Sequence, residues 1–281
     1  MKLLWNYISL LRPHQWLKNL LLLFPPFFGG LSVPIIVAAF LPAFLSFSFA
    51  ASCTYIINDM FDRNADRNHA SKKNRPLARG DVKVPYAAIL AGILYVAAML
   101  LASIVSEHFL GYLILYLLVS ISYSIFFKHV VLIDIFVIAS GYVLRVMAGG
   151  EAFHVPVSNW LFLTVFVVAL FLAAGKRLGE LIAQGENAAK HRHILNEYSV
   201  SFLEGVLWFA ASASLVAYAL YVIANKDAML YTVPIAAYGL LRYIYVVKQG
   251  RGDPTEVLLS DRHIMTTGLV WAAMVGMIIY R

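Results

Sequence analysis

The chain has 281 residues, of which 61% are apolar, 14% aromatic and 13% charged, with a formal net charge of +7 and a mean hydropathy of +0.76. A soluble domain carries about 25% charged and about 45–50% apolar residues, so ordinary soluble, fibrous and disordered classes are excluded and a polytopic membrane protein is left. The single cysteine, Cys53, allows no intrachain disulfide and reads as a small packing residue.

A hydrocarbon core of ~30 Å takes about 20 helical residues per crossing. The apolar runs predict nine spans, at about 17–31, 34–57, 84–105, 109–127, 130–149, 159–175, 202–224, 228–247 and 264–280. The first is short and contains Pro25-Pro26. The mixed stretch Met1–Arg12 leads into further spans without a small-residue cleavage site, so no cleavable signal is expected. The longest connections, 58–83 and 176–201, are too short for a soluble domain. The fold class is therefore all-α, with residues 1–281 expected to form one transmembrane domain.

The basic residues are one-sided. Lys2, Arg12 and Lys18 lie before or at the start of the first span. Arg63, Arg67, Lys72, Lys73, Arg75, Arg79 and Lys83 follow the second, and Lys128 follows the fourth. Lys176, Arg177, Lys190 and Arg192 follow the sixth, and Arg242, Lys248, Arg251 and Arg262 surround the loop after the eighth. Only Lys226 and Arg281 fall on the other side, and Arg145 lies within the fifth span. The positive-inside rule then predicts a cytoplasmic N-terminus and, with an odd number of spans, an external C-terminus. Most acids share the basic side. A transporter usually carries ionisable groups at the midplane, and this chain has few.

The second span ends in Asn58-Asp59-Met60-Phe61-Asp62-Arg63-Asn64-Ala65-Asp66. Continued as a helix, Asn58, Asp62 and Asp66 fall at i, i+4 and i+8, and Asp59, Asp62 and Asp66 at i, i+3 and i+7, so the oxygens line one face. Stacked carboxylates repel one another unless a cation sits among them. Hard oxygen donors suit Mg²⁺, which keeps waters and shares substrate phosphates. Asn58, Asp59, Asp62 and Asp66 are the candidate metal ligands; the bland alternative is a solvated helix end. Arg67, His69, Lys72 and Arg75 follow at once and are candidate phosphate contacts. Topology alone accounts for part of this charge, and His69 could be a plain hydrogen-bonding loop residue.

Other polar residues lie near the same membrane level. Asp134 and Arg145 share a face of the fifth span but stand about 16 Å apart along its axis, too far to pair directly. The sixth span ends in Lys176-Arg177-Leu178-Gly179-Glu180, either a basic anchor or a second half-site facing the acids. Tyr123 and Lys128 close the fourth span, and Lys18 and Asn19 open the first, where Lys18 could also simply snorkel. Tyr198 joins Lys18, Asn19, Tyr123, Lys128, Asp134 and Arg145 as a substrate-binding candidate.

These residues resemble the UbiA-type superfamily of intramembrane prenyltransferases, whose N-D-x-x-D-x-x-x-D motif is met by Asn58, Asp59, Asp62 and Asp66. The resemblance implies nine transmembrane helices around a lipid-accessible central cavity with cytoplasmic polar caps. Typical members carry a second Asp-rich motif after the sixth helix, which helps bind a second Mg²⁺; here that position reads Lys176-Arg177-Leu178-Gly179-Glu180. The chain is more similar to the decaprenyl-phosphate phosphoribosyltransferase branch. The matching stretches are Arg12-Pro13-His14-Gln15-Trp16-Leu17-Lys18-Asn19, Asp66-Arg67-Asn68-His69 with Lys72, Arg75-Pro76-Leu77-Ala78, Tyr123-Ser124 with Lys128, Asp134 with Arg145 and Gly149-Gly150, and Lys176-Arg177 with Glu180. Ala70 stands where proline is expected.

What this resemblance implies is Mg²⁺-dependent transfer of 5-phosphoribose from phosphoribosyl pyrophosphate to a polyprenyl phosphate in the bilayer, releasing pyrophosphate, for cell-envelope polysaccharide precursors. The reaction would take place on the cytoplasmic face of the cell membrane. Asp59, Asp62, Asp66, Lys176, Arg177 and Glu180 would be the catalytic set. The alternatives are prenyl transfer from a prenyl diphosphate to an aromatic or other acceptor, and a lipid or solute transporter. No nucleic-acid partner is expected. Lipid chain length, the number of Mg²⁺ ions and homo-oligomerisation are left open by the sequence.

Overall fold

A computed structural model describes residues 2–67, 72–185 and 193–281. All regular structure among them is helical. The helices are α1 (Lys2–Leu11), α2 (Phe24–Phe28), α3 (Val33–Phe61), α4 (Arg63–Arg67), α5 (Pro76–Arg79), α6 (Val84–Val105), α7 (Glu107–Ile125), α8 (Ile133–Phe153), α9 (Asn159–Gln184), α10 (Val200–Asn225), α11 (Val233–Val247), α12 (Pro254–Ser260) and α13 (Arg262–Ile279). Among the described residues eight helical segments are long and apolar enough to cross a membrane: α3, α6, α7, α8, α9, α10, the segment Asp227–Val247 and α13. The chain is an integral membrane protein. The second to ninth predicted spans coincide with these eight.

The first predicted span differs. Residues Pro13–Leu23 form a 3₁₀ helix that runs into the short α2. Pro13 is the first residue of the 3₁₀ helix, and Pro25 and Pro26, in α2, have no backbone N–H to give to the carbonyls of Leu21 and Leu22. A 3₁₀ helix rises about 2.0 Å per residue against about 1.5 Å in an α-helix, so Pro13–Phe28 still reaches about 30 Å, close to a hydrocarbon thickness.

Short polar caps start several of the long helices. The Ser106 side chain accepts from the Phe109 amide, Ser158 from Leu161, Ser199 from Phe202, and Asp261 from Ile264. Each satisfies an amide that the first turn leaves without a helical partner.

The chain packs as two compact units. One comprises Met1–Pro26, Leu31–Phe127 and Leu144–Pro156. Its core gathers Phe47, Ala50 and Ala51 of α3, Ala98 and Ala102 of α6, and Phe109 and Leu113 of α7. Ala87, Ala91, Leu94, Ala98 and Ala102 make one buried stripe of α6, and its four alanines allow close helix approach. The opposite stripe, Ile89, Ile93, Val96 and Leu100, is exposed, as a lipid-facing surface requires. The end of α8 is equally close to the 3₁₀ helix: a Cβ on Gly149 would lie 2.3 Å from the Leu22 carbonyl oxygen.

The other unit comprises Phe27–Gly30, Lys128–Val143 and Val157–Arg281. Ala169, Ala173, Ala174 and Leu178 of α9 pack with Leu203, Leu207 and Ala210 of α10 and with Val246 and Val247 of α11. One turn of α9 is open for a backbone contact. A Cβ on Gly179 would lie 2.5 Å from the Gly252 amide nitrogen, and a Cβ on Gly252 would lie 2.4 Å from the Gly175 carbonyl oxygen. The Tyr243 hydroxyl donates to the Gly252 carbonyl at 2.7 Å. These contacts seat the loop between α11 and α12 on the end of α9.

Replacing Gly149 by alanine should lower stability by about 1–3 kcal/mol through overpacking against Leu22, read as a lowered thermal midpoint in detergent. An unchanged midpoint would show that the two segments can separate freely.

Candidate active site

The site begins with one stripe of α3. Ser48, Ser52, Tyr55 and Asp59 follow i, i+4, i+7 and i+11, so they stack along one face. The segment before α2 runs along that stripe. Asn19 Nδ2 donates to Ser48 Oγ at 3.0 Å, and Trp16 Nε1 donates to Ser52 Oγ at 3.0 Å. Ser52 Oγ in turn donates to the Leu11 carbonyl at 2.8 Å. The Arg12 guanidinium lies over the Tyr55 ring, 5.1 Å from its centroid. Small hydroxyl side chains allow this close approach, and the hydrogen bonds replace those that water would make outside a membrane. The register set by Ser48 and Ser52 delivers Arg12 to Asp59, where Nη2 and Oδ1 are 2.5 Å apart. Arg12 itself has φ 50° and ψ 59°, a left-handed conformation that costs an L residue about 1–2 kcal/mol. The ion pair and the Tyr55 stack hold it there.

The acidic motif keeps nearly the predicted helical path. α3 ends at Phe61, and α4 starts at Arg63. The Asp62 amide still donates to the Asn58 carbonyl at 2.9 Å, and the Asp66 amide to the Asp62 carbonyl at 2.8 Å. Asn58, Asp62 and Asp66 are therefore linked at i, i+4 and i+8 as expected. Asp59 and Asp66 are buried, while Asn58 and Asp62 are half-buried. Arg75 bridges the two buried acids: its Nη1 lies 3.0 Å from Asp59 Oδ1 and 2.7 Å from Asp66 Oδ2. Arg63 and Arg67 donate to the Leu77 and Ala78 carbonyls of α5, at 3.2 and 3.1 Å. These bonds fold the 72–79 segment back over the end of α3 and so place Arg75.

Among the described residues no three His, Cys, Asp or Glu side chains stand together as a metal cage. What the geometry offers is two carboxylates converging on a single cationic nitrogen. That donor set fits Mg²⁺, which characteristically takes one or two protein carboxylates and completes its shell with water and substrate phosphate. Burial raises the Asp66 carboxyl above the ordinary carboxylate range, although Arg75 and Lys72 pull it the other way.

A second polar cluster lies in the other unit. Arg177, with 0% exposure, pairs with Asp134 Oδ2 through Nε at 2.5 Å and with Glu180 Oε2 through Nη1 at 2.8 Å. The Tyr198 hydroxyl donates to Asp134 Oδ1 at 2.6 Å and accepts from the Leu132 amide at 2.7 Å. Leu132 has φ 64°, so this bond braces a left-handed turn before α8. Burial, then the bond to Asp134, raises the Tyr198 hydroxyl well above its usual range and keeps it a neutral donor. Lys176 Nζ lies 2.9 Å from Asp253 Oδ2. The other oxygen of Asp253 caps α12, accepting from the Thr255 and Glu256 amides.

The remaining sequence candidates fall as follows. Asn19 and Arg145 meet inside the first unit: Arg145 Nε donates to Asn19 Oδ1 at 2.7 Å, and Nη2 to the Tyr116 hydroxyl at 3.1 Å. The Arg145 guanidinium also lies over the Tyr116 ring, 4.6 Å from its centroid. Lys18, Lys72, Tyr123 and Lys128 are half-buried. Arg67 reaches a backbone carbonyl. His69, Lys190 and Arg192 lie outside the described residues. Sequence reading did not single out Arg12, Tyr116 or Asp253 as site residues. Arg12 carried one usable signal, its place in the stretch Arg12-Pro13-His14-Gln15-Trp16.

Residues 23–266 match the UbiA prenyltransferase family, and the chain belongs to it. Its relatives include the decaprenyl-phosphate phosphoribosyltransferase of Mycolicibacterium smegmatis, 34% identical over 97% of this chain and 92% of that protein. The enzyme of the same name from Mycobacterium tuberculosis is 32% identical over 96% of this chain and 92% of its own length. That of Corynebacterium glutamicum is 34% identical over 97% of this chain and 86% of its own. A UbiA homolog from Archaeoglobus fulgidus, solved with GPP and Mg²⁺, shares the fold with a TM-score of 0.73 at 20% identity, over 98% of this chain and 99% of that one.

Two stability predictions follow from these clusters. Arg177→Met should cost about 3–5 kcal/mol by leaving the buried Asp134 carboxylate uncompensated. The double variant Arg177→Met/Asp134→Leu should recover most of that loss in thermal unfolding, and a double no more stable than Arg177→Met would show that the pair is not the cause.

Asp66→Asn tests the cost of the acid. A raised folded-state pKa means that Asp66 favours the fold below its unfolded pKa and loses that contribution as pH rises through the folded value. Asp66→Asn should therefore flatten the fall of the thermal midpoint with rising pH. A fall as steep as in the wild type would contradict the assignment.

Proposed function

We propose that this protein transfers 5-phosphoribose from phosphoribosyl pyrophosphate to a polyprenyl phosphate of the decaprenyl type, with release of pyrophosphate. The observation that carries this reading is the acidic motif of Asn58, Asp59, Asp62 and Asp66 interlocked with Arg12 and Arg75. Such a cluster can receive a cation and a highly charged anion together. The three named phosphoribosyltransferases, at 32–34% identity over nearly the full chain, support the particular substrates.

Asp59 and Asp66, with Asn58 and Asp62 beside them, are the residues that would hold Mg²⁺. Bound there, the ion would neutralise charge on the departing pyrophosphate. Arg12 and Arg75 lie beside these acids and are assigned to the pyrophosphate oxygens. The bond from ribose C1 to pyrophosphate breaks as C1 takes on oxocarbenium character, and an oxygen of the lipid phosphate forms the new bond from the opposite face. That phosphate is already anionic near pH 7, so no strong general base is needed. Lys18, Lys72 and Lys128 are assigned to phosphate positioning, with Arg67, His69 and Tyr123 as further contacts.

Lys176 is likewise assigned to a phosphate. Arg177 and Glu180, expected in the catalytic set, are ion-paired to each other and are assigned to positioning, as are Asp134 and Tyr198, expected as substrate contacts. Asn19 and Arg145, paired with each other, are assigned to substrate binding. We take residues 1–281 as one functional domain in the cell membrane. The N-terminus and the charged loops are placed on the cytoplasmic side, where phosphoribosyl pyrophosphate is available, and the C-terminus outside.

Purified protein given Mg²⁺, polyprenyl phosphate and labelled phosphoribosyl pyrophosphate should convert the label to a lipid-soluble form. Asp62→Asn should slow this by roughly 100-fold or more, as expected when charge stabilisation of a leaving group is lost. Unconsumed label with the wild type overturns the reading, and full activity of Asp62→Asn removes that residue from the metal site. Faster turnover of a prenyl diphosphate with an aromatic acceptor would favour prenyl transfer.

A further inference from the structure

The acidic motif already holds two cations. Asp59 Oδ1 accepts from Arg12 Nη2 at 2.5 Å and from Arg75 Nη1 at 3.0 Å. An oxygen so engaged has little capacity left for a third cation. Asp66 Oδ2 shares Arg75 at 2.7 Å. The two carboxylates are almost fully buried, with side-chain exposures of 3% and 5%. A divalent ion binding these oxygens would sit at about 2.0–2.1 Å from them, where it would meet the guanidinium nitrogens directly. An ion that takes these two oxygens displaces both arginines, and one held by the other oxygen of each carboxylate would still stand beside the same guanidiniums and be repelled by them. Moving a guanidinium off a buried carboxylate is costly unless another anion receives it.

We propose that Arg12 and Arg75 are resident counter-ions of the metal site. They leave Asp59 and Asp66 when Mg²⁺ arrives and pass to the phosphate oxygens of the incoming diphosphate. This rests on the reading of the acidic motif as the Mg²⁺–diphosphate site. The exchange keeps every buried carboxylate matched to a cation at each stage. It also makes metal and diphosphate binding strongly cooperative, because each ligand supplies what the other displaces. Metal alone meets two competing arginines and binds weakly. Diphosphate alone must draw the arginines from their acids and also binds weakly. The mobile partner is the one the fold allows: the arginine side chains are 20% and 24% exposed.

The test is Mn²⁺ binding to the full chain in detergent or nanodiscs, with no diphosphate present, followed by electron paramagnetic resonance of the free ion. Arg75→Gln should tighten Mn²⁺ binding about tenfold or more, a coupling of ordinary size for linked sites. Arg12→Gln should tighten it less, because Asp59 keeps Arg75, and this variant carries the same test should Arg75→Gln fail to purify. Metal-free titration with inorganic pyrophosphate should weaken in both variants. Mn²⁺ binding no tighter than wild type in either variant overturns the exchange.

A control separates that outcome from failure of the functional reading. Asp59→Asn added to Arg75→Gln should abolish the gain. If Mn²⁺ binding survives unchanged when Asp66→Asn is added to that double variant as well, the acidic motif is not the metal site and both proposals fall. If Asp59→Asn abolishes Mn²⁺ binding while arginine removal tightens nothing, only the exchange falls.

Discussion

A carboxylate buried at the end of a membrane helix needs a cation, and the placement of those cations governs this structure. Asp59 and Asp66 are served by Arg12 and Arg75, and Asp134 is served by Arg177. In a low-dielectric setting an unpaired charge would be far more costly than the pair. Each pairing therefore acts as a register pin. Arg12 ties the 3₁₀ segment to α3, Arg75 ties the 72–79 segment to the end of α3, and Arg177 ties α9 to the start of α8.

The two clusters use the same chemistry for different ends. Around Arg177 the guanidinium is fully buried and engaged with two carboxylates, and Asp134 also takes the Tyr198 hydroxyl. Such a network suits support. Around Arg75 the carboxylates are buried but the arginines are partly open. Burial keeps the Asp66 carboxyl above its ordinary range even with Arg75 beside it.

Much of this was legible in the sequence because it depends on local spacing. The apolar runs placed eight long helices well, since lipid demands continuous apolar surface. The spacing of Asn58, Asp59, Asp62 and Asp66 put them on one helical path, which the backbone hydrogen bonds maintain through the break at Asp62. The 3₁₀ character of Pro13–Leu23 was not legible, because an apolar run with few prolines reads alike for both helix types. Nor were the partners across long separations. Arg12 meets Asp59 across 47 residues, and Lys176 meets Asp253 across 77. The first depends on Ser48 and Ser52 setting the register of two segments. The second depends on Gly175, Gly179 and Gly252 letting a loop touch α9. Small residues with no charge give no hint of that in a single sequence.

Membership of the UbiA family leaves two directions of chemistry open, since a lipid can be either the electrophile or the acceptor. The most direct measurement is mass spectrometry of the lipid recovered after incubation of the purified protein with Mg²⁺, polyprenyl phosphate and phosphoribosyl pyrophosphate. The account predicts a lipid whose mass has grown by one phosphoribosyl group, retaining the original lipid phosphate. Recovery of unmodified polyprenyl phosphate alone, from protein that is folded and supplied with metal, would contradict it.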